Sequence, residues 1–275
     1  ALGGTQVIRI GTSAVVPHGY RTQTVTAGSD PAITAAAIER LLLAADGGSP
    51  RQVIVLSSGA PRALQMPAAG LSAESGAPIL FIDADAVPAA TATALRGLRQ
   101  PAIYLLGAPA IGRRAQARLA RLGRVSRVAG AAGGGASATL GESSDPVENA
   151  VSVSRFGDGP FGWAIHEAGH GLVFASSSRP LDAPAAAPLS AHGDYGPLLL
   201  LRSSASVPAA LARYLSDIEP GYTRAVRPVR EVYNHGWLIG DEHAISALAQ
   251  AEIDSILEIA PRTPSSDEQA LPPPE

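Results

Sequence analysis

The strongest chemical signature in the sequence is an H-E-x-x-H motif formed by His166, Glu167 and His170. On a helix, histidines four residues apart face one zinc ion, and the glutamate serves as the general base of a metallohydrolase. That helix is disfavoured here, because glycines flank the motif and an apolar run begins at Leu172. The candidates for the third zinc ligand are His192, Asp194 and Asp182. We therefore predict a loop without a metal site, and we keep a zinc metallohydrolase as an alternative.

Other catalytic and cofactor signatures are weak or missing. Residues 157–162 match the G-x-G-x-x-G dinucleotide fingerprint, but they contain Pro160 and do not follow a predicted strand. The chain has no cysteine, and all 21 of its basic residues are arginine. This composition excludes thiol nucleophiles, thiolate metal sites, Schiff-base lysines and the Walker A lysine. No G-x-S-x-G elbow occurs either. The sequence therefore predicts a protein that is not an enzyme and uses no cofactor.

Arginine is concentrated in one short segment. Residues 113–127 contain six arginines and no acid. Three of these positions, 114, 118 and 121, share one face of a helix. Guanidinium groups bind phosphates and carboxylates through paired hydrogen bonds. We therefore predict an anionic ligand for Arg113, Arg114, Arg118 and Arg121. The alternative is an ordinary solvated helix face.

The net charge of −3 conceals an uneven distribution. Residues 1–130 carry 13 arginines and 6 acids, a balance of +7, whereas residues 131–275 carry 8 arginines and 18 acids, a balance of −10. The small total gives no reason to expect nucleic acid as a partner. The opposite signs instead predict self-association, in which the basic half of one molecule meets the acidic half of another.

An internal repeat underlies these features. The aligned segments are Val7–Thr12 with Val125–Gly130, Val55–Ser58 with Phe174–Ser177, Ala77–Ile82 with Gly196–Leu201, and Ile103–Gly107 with Gly236–Gly240. They occur in the same order in both halves, so the sequence predicts two copies of one unit. We expect the first unit at 1–124, the second at 125–259, and a disordered Pro-rich tail at 260–275.

Each predicted unit alternates short apolar runs with Ala-rich helical stretches. The runs are Val7–Ile10, Val53–Leu56, Ile79–Ile82 and Ile103–Leu106 in the first unit, and Val125–Val128, Leu172–Ala175, Leu198–Leu201 and Trp237–Ile239 in the second. This alternation predicts an α/β protein with two tandem Rossmann-like open parallel sheets related by internal duplication. Ligands of such sheets bind beyond the carboxyl ends of the strands. Ser58 and Ser177 lie at the ends of predicted strands and are therefore further candidate ligand-binding residues, to which we add Asp182.

Several segments also carry a family resemblance. They are Arg127–Gly130 (RVAG), Val53–Gly59 (VIVLSSG), Asp182–Ala191 (DAPAAAPLSA), Pro78–Ile82 (PILFI), Trp237–Gly240 (WLIG) and Ala244–Ser246 (AIS). Together they resemble the cell wall-binding repeat type 2 family of Gram-positive surface proteins, over residues 7 to about 258. The resemblance implies a secreted, non-catalytic, Rossmann-like module that resides in the cell wall or at the cell surface and binds an anionic wall polymer.

The number of repeats departs from that family, which usually carries three where this sequence has two. The missing third repeat therefore favours self-association or an additional partner. A structural subunit of a head-to-tail oligomer or filament is the second hypothesis, and the zinc metallohydrolase is the third. No apolar run approaches the ~20 residues that a membrane span requires, so we predict no transmembrane segment.

Overall fold

The computed structural model describes residues 6–26, 29–46, 50–107, 110–128, 143–191, 196–222 and 232–261. Within these ranges the protein has the predicted α/β fold. The elements, in chain order, are β1 (Gln6–Ile10), β2 (Arg21–Thr26), α1 (Pro31–Asp46), β3 (Gln52–Ser57), α2 (Arg62–Gln65), α3 (Pro67–Ser75), β4 (Ile79–Ile82), α4 (Ala89–Gly97), β5 (Ala102–Leu105), α5 (Arg113–Leu119), β6 (Arg124–Arg127), α6 (Pro146–Arg155), β7 (Gly157–Asp158), β8 (Phe161–Gly162), β9 (Gly171–Ser176), α7 (Asp182–Ser190), β10 (Leu198–Leu201), α8 (Ala209–Asp217), β11 (Gly221–Tyr222), β12 (His235–Ile239), α9 (Ala247–Leu257) and β13 (Ala260–Pro261).

The chain divides into two compact units. The first comprises Ala1–Pro61 and Gly76–Val128, and the second comprises Arg62–Ser75 and Ala129–Glu275. The predicted repeats have other boundaries, 1–124 and 125–259, so the compact units and the repeats do not coincide. The repeat boundaries remain a prediction about how the sequence was duplicated.

The first unit is built on a four-stranded parallel sheet in the order β4-β3-β5-β6. Its two inner strands, β3 and β5, are apolar and buried because helices cover the sheet, as is usual for parallel strands. Helices α1, α4 and α5 contribute Ala36, Leu95 and Leu119 to the same core as Val53 and Leu80. The expected cap of α1 is present, since Asp30 Oδ1 accepts hydrogen bonds from backbone N–H groups at the start of the helix.

The sheet assignment of one predicted strand was wrong. Val125–Val128, predicted to open the second unit, lies largely in β6, which pairs in parallel with β5 of the first unit. The apolar pattern located this strand, but a local pattern does not carry the identity of its partner. The strand predicted at Val7–Ile10 lies in β1, which pairs with β2 in a separate two-stranded sheet.

The second unit has a three-stranded parallel sheet in the order β10-β9-β12. Its register repeats that of the first unit: Ile54 of β3 and Val173 of β9 each pair with the first residue of one neighbouring strand and the third residue of the other. Strands β9, β10 and β12 are therefore the counterparts of β3, β4 and β5. Asp145 caps α6 through its carboxylate, with Pro146 at the first helical position, as expected.

Two short pairs of strands complete the second unit. Strands β7 and β8 form an antiparallel pair, and β11 and β13 form a parallel one. Strand β13 consists of Ala260 and Pro261, which were predicted to begin the disordered tail; the rest of that tail lies outside the described residues. Among the helices in the described ranges, none is long and apolar enough to cross a bilayer.

Candidate anion-binding site

Helix α5 presents its arginines to solvent because its opposite face is apolar. Ala115 and Leu119, four residues apart, are fully buried in the core of the first unit. This orientation leaves Arg114 and Arg118 exposed on the outer face. The helix begins after Gly112, where an added Cβ would lie 1.9 Å from a carboxylate oxygen of Asp85. Glycine therefore allows the Asp85 carboxylate to approach the start of α5 closely.

Helices α4 and α5 together form a groove with a volume of about 490 Å³. We call it the arginine groove, and it is lined by Ala92, Arg96, Arg114, Ala117, Arg118, Arg121 and Leu122. The structure thus brings together three of the four predicted arginines. Arg113 is also exposed, but it does not line the groove.

Arg96 is the groove residue that the sequence did not predict. It lies in the last turn of α4, 17 residues before Arg113, the first arginine of the cluster on α5. The strand order explains its position, because β4-α4-β5 and β5-α5-β6 are successive crossovers in the same direction and place their helices side by side. The correct strand order makes α4 and α5 neighbours and would have made Arg96 a candidate. The repeat alignment had placed β6 in the other unit.

The electrostatics of the arginine groove favour anions. All four guanidinium groups are charged at any physiological pH, and each has five N–H donors. Their side chains are exposed, and within the described part of the chain none of them makes a hydrogen bond or an ion pair. No acid lines the groove in the described ranges. Four unneutralised cations on one concave surface therefore offer paired hydrogen bonds to phosphate or carboxylate groups.

Ser58 lies elsewhere in the first unit, at the carboxyl end of β3. Its hydroxyl donates a hydrogen bond to Asp83 Oδ1 over 3.2 Å. Asp83 directly follows β4, so the expected convergence of strand ends does occur. The structure does not place Ser58 in the arginine groove, and the serine–aspartate pair adds no positive charge for an anion.

Ser177 and Asp182 lie at the carboxyl edge of the second unit's sheet. The Ser177 N–H donates to the Leu201 carbonyl oxygen over 2.8 Å, as the Ser58 N–H does to Ile82 in the first unit. Asp182 opens α7 and forms an ion pair with Arg179, whose Nε lies 3.1 Å from Asp182 Oδ2. A carboxylate that is already paired with arginine does not favour an anionic ligand.

Arg179 also bridges to a second carboxylate. Its Nη1 donates to Asp241 Oδ1 over 2.9 Å, and His243 Nδ1 lies 3.7 Å from the other carboxylate oxygen. Desolvation raises the pKa of Asp241, but the hydrogen bond from the Ala244 N–H and the charge of Arg179 lower it more, so the net pKa is below its usual value. These contacts form a network of ion pairs between neighbouring loops.

The H-E-x-x-H motif lies in a loop, as predicted. His166 and Glu167 are exposed in the segment between β8 and β9, with no helix to bring the two histidines onto one face. The loop is held by Asn234, whose Oδ1 accepts hydrogen bonds from the N–H groups of Gly169 and His170 over 2.9 and 3.1 Å. The described residues contain no cluster of three or more histidines and acids suited to a metal. Two candidate third ligands, His192 and Asp194, lie outside them.

The glycine fingerprint also has a structural role. Gly157 of β7 pairs with Gly162 of β8, which makes this segment a short antiparallel hairpin and not a turn from a strand into a helix. Gly162 has a φ of 102°, and an added Cβ would lie 2.4 Å from the Phe156 carbonyl oxygen. Glycine is required there by the turn, so the fingerprint gives no support to a dinucleotide site.

The fold is similar to two solved structures from Clostridium difficile. Cwp6 matches with a TM-score of 0.59 at 18% sequence identity, over 88% of this chain and 32% of the Cwp6 chain. Cwp8 matches with a TM-score of 0.57 at 16% identity, over 86% of this chain and 33% of the Cwp8 chain. The chain therefore spans about a third of either protein. No protein-family model and no curated protein matches the sequence. At these identities the likeness shows a shared fold.

Proposed function

We propose that this protein is a non-catalytic module of a Gram-positive cell surface, secreted to the wall, whose arginine groove binds an anionic wall polymer. The observation that carries the proposal is the set of four exposed guanidinium groups lining one groove with no acid or other partner in the described residues. The fold likeness to Cwp6 and Cwp8, which are cell wall proteins, supports the cellular setting.

The shape of the arginine groove suits a chain molecule. It lies on the surface and is lined by residues of α4, α5 and the turn after α5, so a polymer can bind there without being threaded. Arg96 on α4 and Arg114 on α5 supply charge from opposite walls, and each guanidinium is able to hold a separate phosphate or carboxylate. Repeated weak contacts along one chain then raise the affinity by multivalency.

Charge reversal tests this proposal directly. We expect Arg114→Glu/Arg118→Glu to weaken binding of polyphosphate and of poly-L-glutamate by at least about tenfold, because hydrogen bonds between charged groups contribute roughly 1.5–3 kcal/mol each. Arg113→Glu is the matched control, since Arg113 lies on the same helix but outside the groove. Isothermal titration calorimetry at low salt gives both affinities.

Two results would contradict the groove as the binding site. One is a loss of binding free energy in Arg113→Glu that reaches half of the loss in the groove variant, which would indicate a general charge effect because the single reversal changes half as much charge. The other is binding that does not weaken as salt is added, because exposed charges are screened within about 10 Å at 0.1 M ionic strength. A preference between polyphosphate and polyglutamate identifies the chemical class of the polymer.

A second candidate function is a structural subunit of a head-to-tail oligomer or filament. Helix α9 is the counterpart of α5, and counted from the two N-caps its exposed Glu252 takes the position of Arg118, while Glu258 at its C-cap takes that of Arg124. Opposite charges on the two units favour contacts between unlike faces, which propagate when they do not close into a ring. Light scattering at low and high salt tests this candidate, which requires assemblies that dissociate as salt is added.

A further inference from the structure

In the first unit, one arginine side chain joins the fourth strand, β6, to helix α5. Arg127 of β6 donates from Nη2 and Nε to Gln116 Oε1 of α5, over 2.7 and 3.2 Å. The same Nη2 lies 3.4 Å from the carbonyl oxygen of Ile111, just before the helix. We call this arrangement the arginine latch: a strand supplies the guanidinium, and the helix beside the sheet supplies the amide and the carbonyl. It joins β6 to α5 in addition to the backbone pairing with β5.

The second unit repeats the receiving half of the arginine latch. Counted from the N-caps Gly112 and Ser246, Ile245 takes the position of Ile111, and Gln250 takes the position of Gln116. The alignment is supported by burial, because Ala249 and Ile253 are buried in α9 as Ala115 and Leu119 are in α5. The Gln250 side chain is exposed and makes no hydrogen bond to any described residue.

The strand that should occupy this receiver is not supplied by the described part of the second unit. Strand β12, the counterpart of β5, is the last strand of its sheet in the described ranges, whereas β5 is followed by β6. Strand β13 starts as β6 does, with the Ala260 N–H donating to Pro220 where Arg124 donates to Pro101. The second residue of β13 is Pro261, which has no N–H group to donate. Both residues of β13 pair with β11 and not with β12.

Strand β1 has the sequence of the missing strand. Val7-Ile-Arg9-Ile aligns with Val125-Ser-Arg127-Val, which places Arg9 at the position of the latch arginine. Strands β1 and β2 form an isolated parallel pair in the described residues, and Ile8 and Ile10 are 42% and 41% exposed. Parallel strands are normally buried on both faces, so this exposure is unusual.

We propose that β1 of one molecule adds to the sheet of the second unit in another molecule, beside β12, and completes its arginine latch. The strand runs parallel to β12 with Gln6 opposite His235, the register of Arg124 opposite Ala102 in the first unit. Arg9 then exchanges its present partners, the Thr24 hydroxyl and the Ala14 carbonyl, for Gln250 and the Ile245 carbonyl. A second copy of this chain is the partner, and repetition of the contact gives a head-to-tail assembly.

Disulfide trapping tests the register in the full chain, which has no native cysteine. Gln6→Cys and His235→Cys are mixed as two separate variants under mild oxidation, and both positions are exposed. We expect a cross-linked heterodimer. The control replaces Gln6→Cys with Thr22→Cys on β2, one strand farther away and outside the ~7 Å Cα separation that a disulfide spans. Equal yields in the two mixtures would overturn the proposal.

A second experiment tests the arginine latch. Sedimentation equilibrium should show Arg9→Ala and Gln250→Ala each weakening self-association by about tenfold, with little further loss when both are combined, because they remove the same contact. Arg21→Ala on β2 is the control and should leave association unchanged. A protein that is monomeric at every concentration, or additive effects of Arg9→Ala and Gln250→Ala, would contradict the proposal.

This addition of β1 to a second molecule goes beyond the proposed polymer binding, and either proposal can be disproved without the other. Arg114→Glu/Arg118→Glu removes charge from the arginine groove but leaves β1, β12 and Gln250 intact. If the strand model holds, this variant still self-associates, and its association persists at high salt. Association that disappears in the groove variant or on addition of salt would instead assign the contact to complementary charge and would overturn the strand model.

Discussion

Glu39 places a carboxyl group in an apolar environment. It lies on α1 between positions that face the core, it is 2% exposed, and its carboxylate oxygens have no hydrogen-bond partner among the described atoms. Burial raises the pKa of Glu39, and the charge of neighbouring Arg40 opposes that shift. The folded state therefore favours the protonated form. The contribution of Glu39 to stability is fully present below the pKa that the residue has in the unfolded chain, and it is lost as the pH rises through the pKa in the folded state.

Replacement of Glu39 by leucine should stabilise the protein. At neutral pH we expect Glu39→Leu to raise the free energy of unfolding by about 1–3 kcal/mol, because it removes an unpaired buried polar group. Glu39→Gln keeps the shape and separates charge from polarity, and it should reduce the fall in stability between mildly acidic and neutral pH. Urea denaturation at the two pH values measures both effects. A loss of stability at neutral pH in both variants would show that the carboxylate has a partner.

Single residues were predictable where neighbours along the chain determine their environment. Glycines around the H-E-x-x-H motif argued against a helix, and the structure has a loop there. Helical spacing likewise placed Arg114 and Arg118 on one face. Arg96 was missed because its approach to α5 depends on the order of strands in the sheet. Asp182 forms an ion pair with Arg179, three residues earlier, and its role in ligand binding stays a prediction.

At the scale of elements, the turn between α5 and β6 controls both the arginine groove and the fourth strand. Gly123 lies in that turn, and an added Cβ would approach the Pro101 carbonyl oxygen to 2.3 Å. The same carbonyl accepts a hydrogen bond from the Arg124 N–H, which begins the pairing of β6 with β5. The obstruction is backbone, so it cannot be relieved by rotating a side chain.

Gly123→Ala should therefore destabilise the protein by roughly 1–3 kcal/mol, the range typical of overpacking in a packed interior. The matched control is Gly97→Ala at the end of α4, where an added Cβ meets nothing within 4 Å. That substitution should be neutral or should stabilise by up to about 1 kcal/mol, because alanine favours helix over glycine. Thermal or urea unfolding compares the two variants, and equal effects would be inconsistent with a close approach at Gly123.

The elements themselves were largely predictable, but their pairing was not. Apolar runs bounded by glycine, proline and serine located β3, β4, β5, β9 and β10 to within a residue or two at each end. Strand β6 pairs with β5, the strand just before it in the chain, but an apolar pattern does not identify a strand's partner, and the repeat alignment had placed this segment in the other unit. The repeat predicted two parallel sheets; the described residues contain a four-stranded and a three-stranded parallel sheet, and the registers around β3 and β9 match.

At the scale of the whole molecule, the distribution of charge is the feature on which the proposed function rests. A net charge of −3 combines a balance of +7 in residues 1–130 with −10 in residues 131–275. In the first unit, four of the arginines gather in one groove and lack partners among the described residues. In the second unit, Arg155 and Arg202 form ion pairs with Asp217 and Asp145. The proposed binding function therefore belongs to the first unit.

Co-sedimentation with isolated Gram-positive cell walls tests the central claim most directly. The full chain is mixed with intact walls and with walls from which the anionic polymers have been extracted, at low and at high salt. We predict that the protein sediments with intact walls at low salt, and that high salt, polymer extraction or Arg114→Glu/Arg118→Glu each releases it. Equal sedimentation with extracted and intact walls, or full retention of the groove variant, would contradict the account.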